Sequence, residues 1–311
     1  MSLALLCSGQ GRQARGMFAL FDGADAAQPV FDAAASVLGA DPRALVAEAD
    51  EATLHNNRIS QILCVTRALA AAACLELDSP LLVAGYSVGE MAAWGVAGFW
   101  SAQETIRLTA IRAELMDQAD GGDGGLGFIR GLDRKAVEPL VADYRCAIAI
   151  TNPDRLFVIG GVRADVAACC AQALVVGAAS ARPLAVNVAS HTPRLSSAVE
   201  PFEAVLSRSV PARIIKGRTL LGASDGAVVY SLARGAPGLA RQLAHTVDWA
   251  GTLAALVERG ADRIFELGPG GALSDMMRGA YPTLPVRALD DFQTLAGARA
   301  WLTPAIGPGG A

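Results

Sequence analysis

The chain has 311 residues, 52% apolar and 18% charged, enough for one large domain or two with a sizeable core. Its 26 Lys and Arg against 30 Asp and Glu give a formal charge of −4, and no basic cluster stands out, which excludes a nucleic-acid footprint. The six cysteines (Cys7, Cys64, Cys74, Cys146, Cys169, Cys170) form no CxxC pair and have no histidine at metal-ligand spacing; they read as small buried residues in a reducing compartment, with no metal expected.

In chain order, MSLALLCSGQGRQ has no positive flank and too short an apolar run for a signal peptide. LALLC (3–7) reads as a buried strand ending in the polar turn SGQGRQ. Helical patterns follow near 13–22, 28–39 and 58–77, the last with Ser60 as its cap. LLVAG (81–85) is a second apolar strand, and a helix starts at Val88. The most apolar window, Leu81 to Trp100, carries Glu90 and several glycines, so it is not a membrane span. A soluble cytoplasmic protein is expected. Ser101 caps a long amphipathic helix, AQETIRLTAIRAELMDQA, which ends at GGDGG (121–125).

The rhythm then changes. LGFIRGL is a strand, DRKAVEPLVADY a helix, RCAIAIT and LFVIGG two strands joined by NPDR, ADVAACCAQALVVG a helix and ARPLAVN a strand. The order βαββαβ predicts a ferredoxin-like subdomain at 125–188. It interrupts an α/β core, 1–124 and 189–303, whose sheet is mainly parallel and whose plan is α/β-hydrolase-like. The core resumes with the helix PRLSSAVEPFEAVLSR, the helix DWAGTLAALVERG, the strand RIFELG, the strand PVRAL and a last helix in DDFQTLAGARAWL. Residues 304–311 read as a frayed tail.

GYSVGE (85–90) is a Gly-x-Ser-x-Gly sequence between a strand and a helix, the pattern of a nucleophile elbow. The competing reading is that Ser87 only caps the helix. A serine nucleophile needs a base, and the chain has three histidines. His55, in TLHNNR, reads as a surface residue. His191, in the loop NVASHTPRL, is the first choice, and His245, in LAHTVDW, the fallback, otherwise packing or capping. Two donors are needed for an oxyanion hole. The amide of Val88 follows the nucleophile, and Gln10, flanked by glycines after the first strand, offers the second; the alternative for GQG is a plain loop. Arg112, in IRAELM, reads by itself as an exposed arginine on an amphipathic helix.

Together GQGRQ, GYSVGE, IRAELM, VASHTP and the C-terminal ARQL, DW and ELGPGGAL resemble the malonyl-CoA:acyl carrier protein transacylases, in the family's order and over nearly the whole chain. The resemblance implies that Ser87 is acylated, that His191 is its base, and that the amides of Gln10 and Val88 hold the oxyanion. It places Gln242 where the family orients the histidine, through a backbone carbonyl or an amide side chain. It implies that Arg112 pairs with the free carboxylate of a malonyl group, since a guanidinium fork suits a carboxylate. The implied reaction is ping-pong, from malonyl-CoA to a phosphopantetheine-type thiol on an acyl carrier protein, with no bound cofactor. Tyr86 stands where the family usually has histidine, and Ser8 where it usually has proline. GYSVGE, SHTP, AHTVDWA, FELGPGGALSDM and VRALDDF are most similar to the epsilon subunit of bacterial malonate decarboxylase. That subgroup implies priming of the decarboxylase's carrier subunit. The alternatives are a transacylase of fatty-acid or polyketide synthesis and, from another class, a non-catalytic carrier-docking subunit. A serine hydrolase with the same elbow would place its histidine later in the chain. Val188-Ala189-Ser190-His191, the loop that tracks malonyl against methylmalonyl choice, favours neither side cleanly; malonyl is retained.

Overall fold

The computed structural model describes residues 2–77 and 80–303. The strands are β1 (Ser2–Cys7), β2 (Leu81–Gly85), β3 (Gly124–Arg130), β4 (Ala147–Asn152), β5 (Leu156–Val162), β6 (Ser180–Pro183), β7 (Arg218–Leu221), β8 (Val228–Val229), β9 (Val247–Asp248), β10 (Ala261–Glu266) and β11 (Val286–Ala288). They form two sheets, ordered β11-β10-β1-β2-β7-β8 and β6-β3-β5-β4-β9. The larger sheet is parallel except for β8. The fold is therefore mixed α/β with a mainly parallel principal sheet.

Both faces of that sheet are covered, which is why its strands read as continuous apolar runs. Leu3, Leu5 and Cys7 point into one core with the helices Asn57–Cys74, Gly89–Ala97 and Ala102–Asp120. Ala4 and Leu6 point into a second core with Trp249, Leu253, Leu273 and Met277. Leu126, Ala149, Ile150 and Val158 of the smaller sheet join that second core, so the two sheets meet through it. The smaller sheet covers its other face with the helices Arg134–Asp143 and Arg163–Val175.

β3 to β6 follow the order βαββαβ, with antiparallel neighbours β6-β3-β5-β4. A fifth strand was not expected: β9, from late in the chain, pairs in parallel with β4 through Ile150 and Val247. Other expectations shift. The pattern near 13–22 yields only a short turn of helix, Ala19–Phe21, because Gly16 and Gly23 sit at φ +75° and +71° and break it. The helix Asn57–Cys74 is capped by Asn56, whose Oδ1 accepts from Ile59 N–H at 3.1 Å, and Ser60 lies buried inside it. The strand expected over ARPLAVN stops at Pro183. β7, β8 and the helix Leu232–Arg241 lie where no element was assigned from sequence. The tail at 304–311 lies outside the described residues.

All six cysteines are free, and Cys146 is only half-buried. Among the described residues no helix is long and apolar enough to cross a membrane.

Candidate active site

The site lies where β1 and β2 end side by side, at the carboxyl edge of the parallel sheet. Neither Gly85 nor Gly89 has room for a side chain: a Cβ on Gly85 would fall 2.1 Å from Gly89 O, and one on Gly89 would fall 2.1 Å from Cys7 O. Between them Ser87 has φ +55°, a left-handed conformation that costs a non-glycine residue about 1–2 kcal/mol. The tight packing on both sides holds it there. Ser87 Oγ lies 2.7 Å from His191 Nε2.

His191 is buried and also left-handed, at φ +62°. Its main-chain N–H donates to Leu243 O at 2.8 Å, and its Nδ1 lies 2.7 Å from Gln242 O. A carbonyl only accepts, so Nδ1 carries the proton and Nε2 offers its lone pair to the serine hydroxyl. Burial, and after it the positive charge of Arg112, lowers the imidazole from 6.5 to about 3, against the upward pull of the Gln242 hydrogen bond. The ring is thus neutral near pH 7 and able to take a proton. Asp120, also buried, pins the loop before His191. It accepts from Ala189 N–H at 3.0 Å and Gly124 N–H at 2.9 Å, and it pairs with Arg194 at 3.1 Å.

The turn after β1 lies against the elbow, since a Cβ on Gly9 would meet Tyr86 O at 2.9 Å and Ser87 Cβ at 3.6 Å. Ser8 Oγ donates to Glu266 Oε1 at 2.8 Å and anchors this turn. The Gln10 side chain donates to Ser60 Oγ at 2.5 Å and to Asn57 Oδ1 at 3.4 Å. Among the described residues, no main-chain hydrogen bond engages the N–H of Gln10 or of Val88.

Arg112 is fully buried on the helix Ala102–Asp120, not exposed as an isolated reading of that helix suggests. Its Nη1 donates to Gln61 Oε1 at 2.5 Å and its Nη2 to Gln242 Oε1 at 3.3 Å, while Nε has no partner. No carboxylate of the described residues forms an ion pair with it. Burial lowers its pKa to about 10, and Glu90 counteracts this. The guanidinium therefore meets two neutral amide oxygens and keeps an open donor. Gln242 joins the two halves of the site: its main-chain oxygen holds His191, and its side chain touches Arg112.

The other histidines lie apart from this cluster. His55 is half-buried rather than on the open surface, with Nδ1 3.0 Å from Gln13 Nε2. His245 is exposed, with Nδ1 2.9 Å from Arg241 O at the end of its helix.

Residues 4–223 match the acyl transferase domain family. The chain belongs to that family. It is 27% identical over 308 residues to the malonyl CoA-acyl carrier protein transacylase of Salmonella typhimurium, covering 95% of this chain and 98% of that protein. A solved malonyl-transacylase in complex with its type II PKS acyl-carrier protein matches at 28% identity and TM-score 0.89, over 96% of this chain and 99% of that one. An acyl-carrier-protein S-malonyltransferase from Burkholderia pseudomallei matches at 27% identity and TM-score 0.87, over 96% of this chain and 100% of that one. This acyl transferase is an enzyme of the S-malonyltransferase type.

Four of its site residues escaped the sequence reading. Gln61 and Asn57 lie on the buried face of the helix Asn57–Cys74, and Glu90 and Asp120 are carboxylates below 4% exposure. The available signals were Gln61 heading the apolar run ILCV, and Glu90 as an acid inside the most apolar window. Asp120 gave none.

Proposed function

We propose that this acyl transferase moves a malonyl group from malonyl-CoA to the phosphopantetheine-type thiol of an acyl carrier protein through a malonyl ester of Ser87. The observation that carries the proposal is the 2.7 Å contact between Ser87 Oγ and His191 Nε2 beside a buried arginine that has no carboxylate of its own. A buried cation without a counter-ion is costly, and a ligand carboxylate relieves that cost.

In the first half-reaction Ser87 Oγ attacks the thioester carbonyl while His191 Nε2 takes the hydroxyl proton. The negative charge on the carbonyl oxygen is held by the amides of Gln10 and Val88. The carbon–sulfur bond breaks, and His191 returns its proton to the departing CoA sulfur. In the second half-reaction His191 takes the proton of the carrier thiol, whose sulfur attacks the ester. The serine leaves with that proton, and the product is the malonyl thioester of the carrier. Throughout, Arg112 holds the free carboxylate. Acetyl-CoA has none, so it leaves the guanidinium unpaired.

The strand order β6-β3-β5-β4 supports a ferredoxin-like subdomain at about 125–188, inserted into an α/β-hydrolase-like core formed by 1–124 and 189–303. The named relatives support the general transacylase of fatty-acid or polyketide synthesis over the narrower priming of malonate decarboxylase. The narrower reading rests on GYSVGE, AHTVDWA, FELGPGGALSDM and VRALDDF. It predicts a higher kcat/KM toward a malonate decarboxylase carrier subunit than toward a biosynthetic acyl carrier protein; the reverse order excludes it.

The test of the main reading is the intact mass of the protein after mixing with malonyl-CoA or acetyl-CoA. A malonyl-sized adduct is expected on the wild type and not on Ser87→Ala, and Arg112→Ala should lose the preference for malonyl. No adduct, or equal labelling by acetyl-CoA, overturns it in favour of a general esterase or a docking subunit.

A further inference from the structure

Gln242 links the serine–histidine pair to Arg112, and Gln242 is itself held by Glu90. Its Nε2 donates to Glu90 Oε2 at 2.5 Å, while its Oε1 accepts from Arg112 Nη2 at 3.3 Å. A primary amide has one donor end and one acceptor end. With the acceptor end on a guanidinium, the donor end needs an acceptor inside the core. Glu90, at 3% exposure in the first turn of the helix after the elbow, supplies it. The same Oε2 accepts from Ala223 N–H at 3.2 Å, which fixes the carboxylate. Turning the amide over would set its NH2 against the Arg112 NH groups, donor against donor, and its oxygen against a carboxylate. Glu90 therefore selects one orientation of the Gln242 amide. The His191 contact uses the Gln242 main chain and is independent of that orientation.

We propose that Glu90 is a positioning residue for malonyl transfer. By fixing which way the Gln242 amide points, it holds Arg112 in the geometry that receives a carboxylate, and so sets the preference for diacid over monoacid thioesters. The inference rests on the function proposed above for Arg112. Its signature is selectivity: the clamp runs through the Gln242 side chain and the base does not, so losing Glu90 should harm malonyl transfer more than acetyl transfer.

The experiment compares wild type, Glu90→Gln, Glu90→Ala, Gln242→Met and the double variant Glu90→Ala/Gln242→Met. The donors are malonyl-CoA and acetyl-CoA, and the acceptor is pantetheine, so that carrier docking plays no part. Glu90→Ala should lower malonyl kcat/KM about 10- to 100-fold, the scale of one hydrogen bond to a charged network, with a clearly smaller loss for acetyl. Glu90→Gln keeps an acceptor oxygen and should recover most of the selectivity. The double variant should lose no more than Gln242→Met alone, because the two residues act in series. Equal losses for both donors, or additive losses in the double variant, overturn the inference. If Glu90→Ala does not fold, Glu90→Met, which fills a similar volume without an acceptor oxygen, carries the same test: a selective loss of malonyl transfer supports the inference and an equal loss overturns it. A wild type that is never malonylated on Ser87 defeats the proposed function instead, so the two failures are distinct.

Discussion

Ser8 Oγ donates a hydrogen bond to Glu266 Oε1 at 2.8 Å, tying the turn after β1 to the end of β10. Glu266 is fully buried, and it also accepts from Leu273 N–H at 3.3 Å and Ser274 N–H at 2.7 Å. Burial raises its carboxyl pKa and these bonds pull it back. A Ser8→Ala protein should lose about 1–3 kcal/mol of stability, because a buried carboxylate oxygen loses a partner. Transfer activity should fall with it, since the same turn carries Gln10. A urea midpoint equal to that of the wild type would show that the turn is held by packing alone.

The elbow makes two opposite demands on its residues. Gly89→Ala drives a Cβ into the Cys7 carbonyl, which is backbone and cannot move aside, so a loss of about 4 kcal/mol or failure to fold is expected. Ser87→Gly should do the reverse. It removes the nucleophile but relaxes a residue held at φ +55°, so it should melt higher than Ser87→Ala, by about 1 kcal/mol. Thermal melts of the two Ser87 variants decide this; equal melting temperatures would mean the left-handed turn carries no strain.

These local features explain what the sequence could disclose. The elbow is legible because a strand, two glycines and a helix start lie within a dozen residues. His191 and Ser87 are 104 positions apart, so no local spacing joins them; the loop context ranked His191 above His245 and His55, and the family resemblance then implied its role as the base. The burial of Arg112 was hidden because its helix reads as amphipathic, while the helices Asn57–Cys74 and Ser196–Ser207 and the Gln242 region close over the side it presents. Ser60 looked like a cap because it precedes an apolar run, but Asn56 performs that role and Ser60 receives Gln10 instead. The stretch from 208 to 231 is rich in turns with two short strands, and its pairing with β2 is set by tertiary contacts that no local period encodes.

The histidine and Glu90 should shape stability against pH in opposite senses. The folded protein lowers His191 from 6.5 to about 3, so its contribution is complete above pH 6.5 and is lost as pH falls through that window. Burial raises Glu90 from 4.5 to about 7, so its contribution is complete below pH 4.5 and is lost as pH rises to about 7. Each acts with a slope of at most about 1.4 kcal/mol per pH unit. Stability should therefore climb from pH 3 to 4.5, stay level to about 6.5, and fall slightly above that. Glu90→Gln should remove the fall and let stability climb on to pH 6.5. His191 should contribute no acid limb to activity near pH 6.5, since the base is already neutral there. An imidazole NMR signal of His191 that titrates near 6.5, beside an acid limb at the same pH that persists in Glu90→Gln, would overturn the low imidazole pKa.

Arg112 is the residue where stability and function should separate most clearly. It is fully buried, Nε has no partner, and only amide oxygens contact its remaining nitrogens. Desolvating a guanidinium under those conditions works against folding, which offsets part of what its two hydrogen bonds contribute; Arg112→Met removes that cost but leaves the Gln61 and Gln242 amide oxygens without donors. Arg112→Met should then lose only about 1–3 kcal/mol of stability and still fold, yet lose malonyl transfer by 100-fold or more, on the order of 3 kcal/mol in the transition state. Acetyl transfer should fall much less, because no carboxylate is lost from that reaction. Arg112→Lys should lie between the two, since an ammonium keeps the charge without the planar fork. Denaturation curves and paired kcat/KM values for both thioesters measure this. A destabilised Arg112→Met with unchanged malonyl-to-acetyl preference would make the arginine a structural strut, and the diacid specificity would then have to be sought elsewhere in the site.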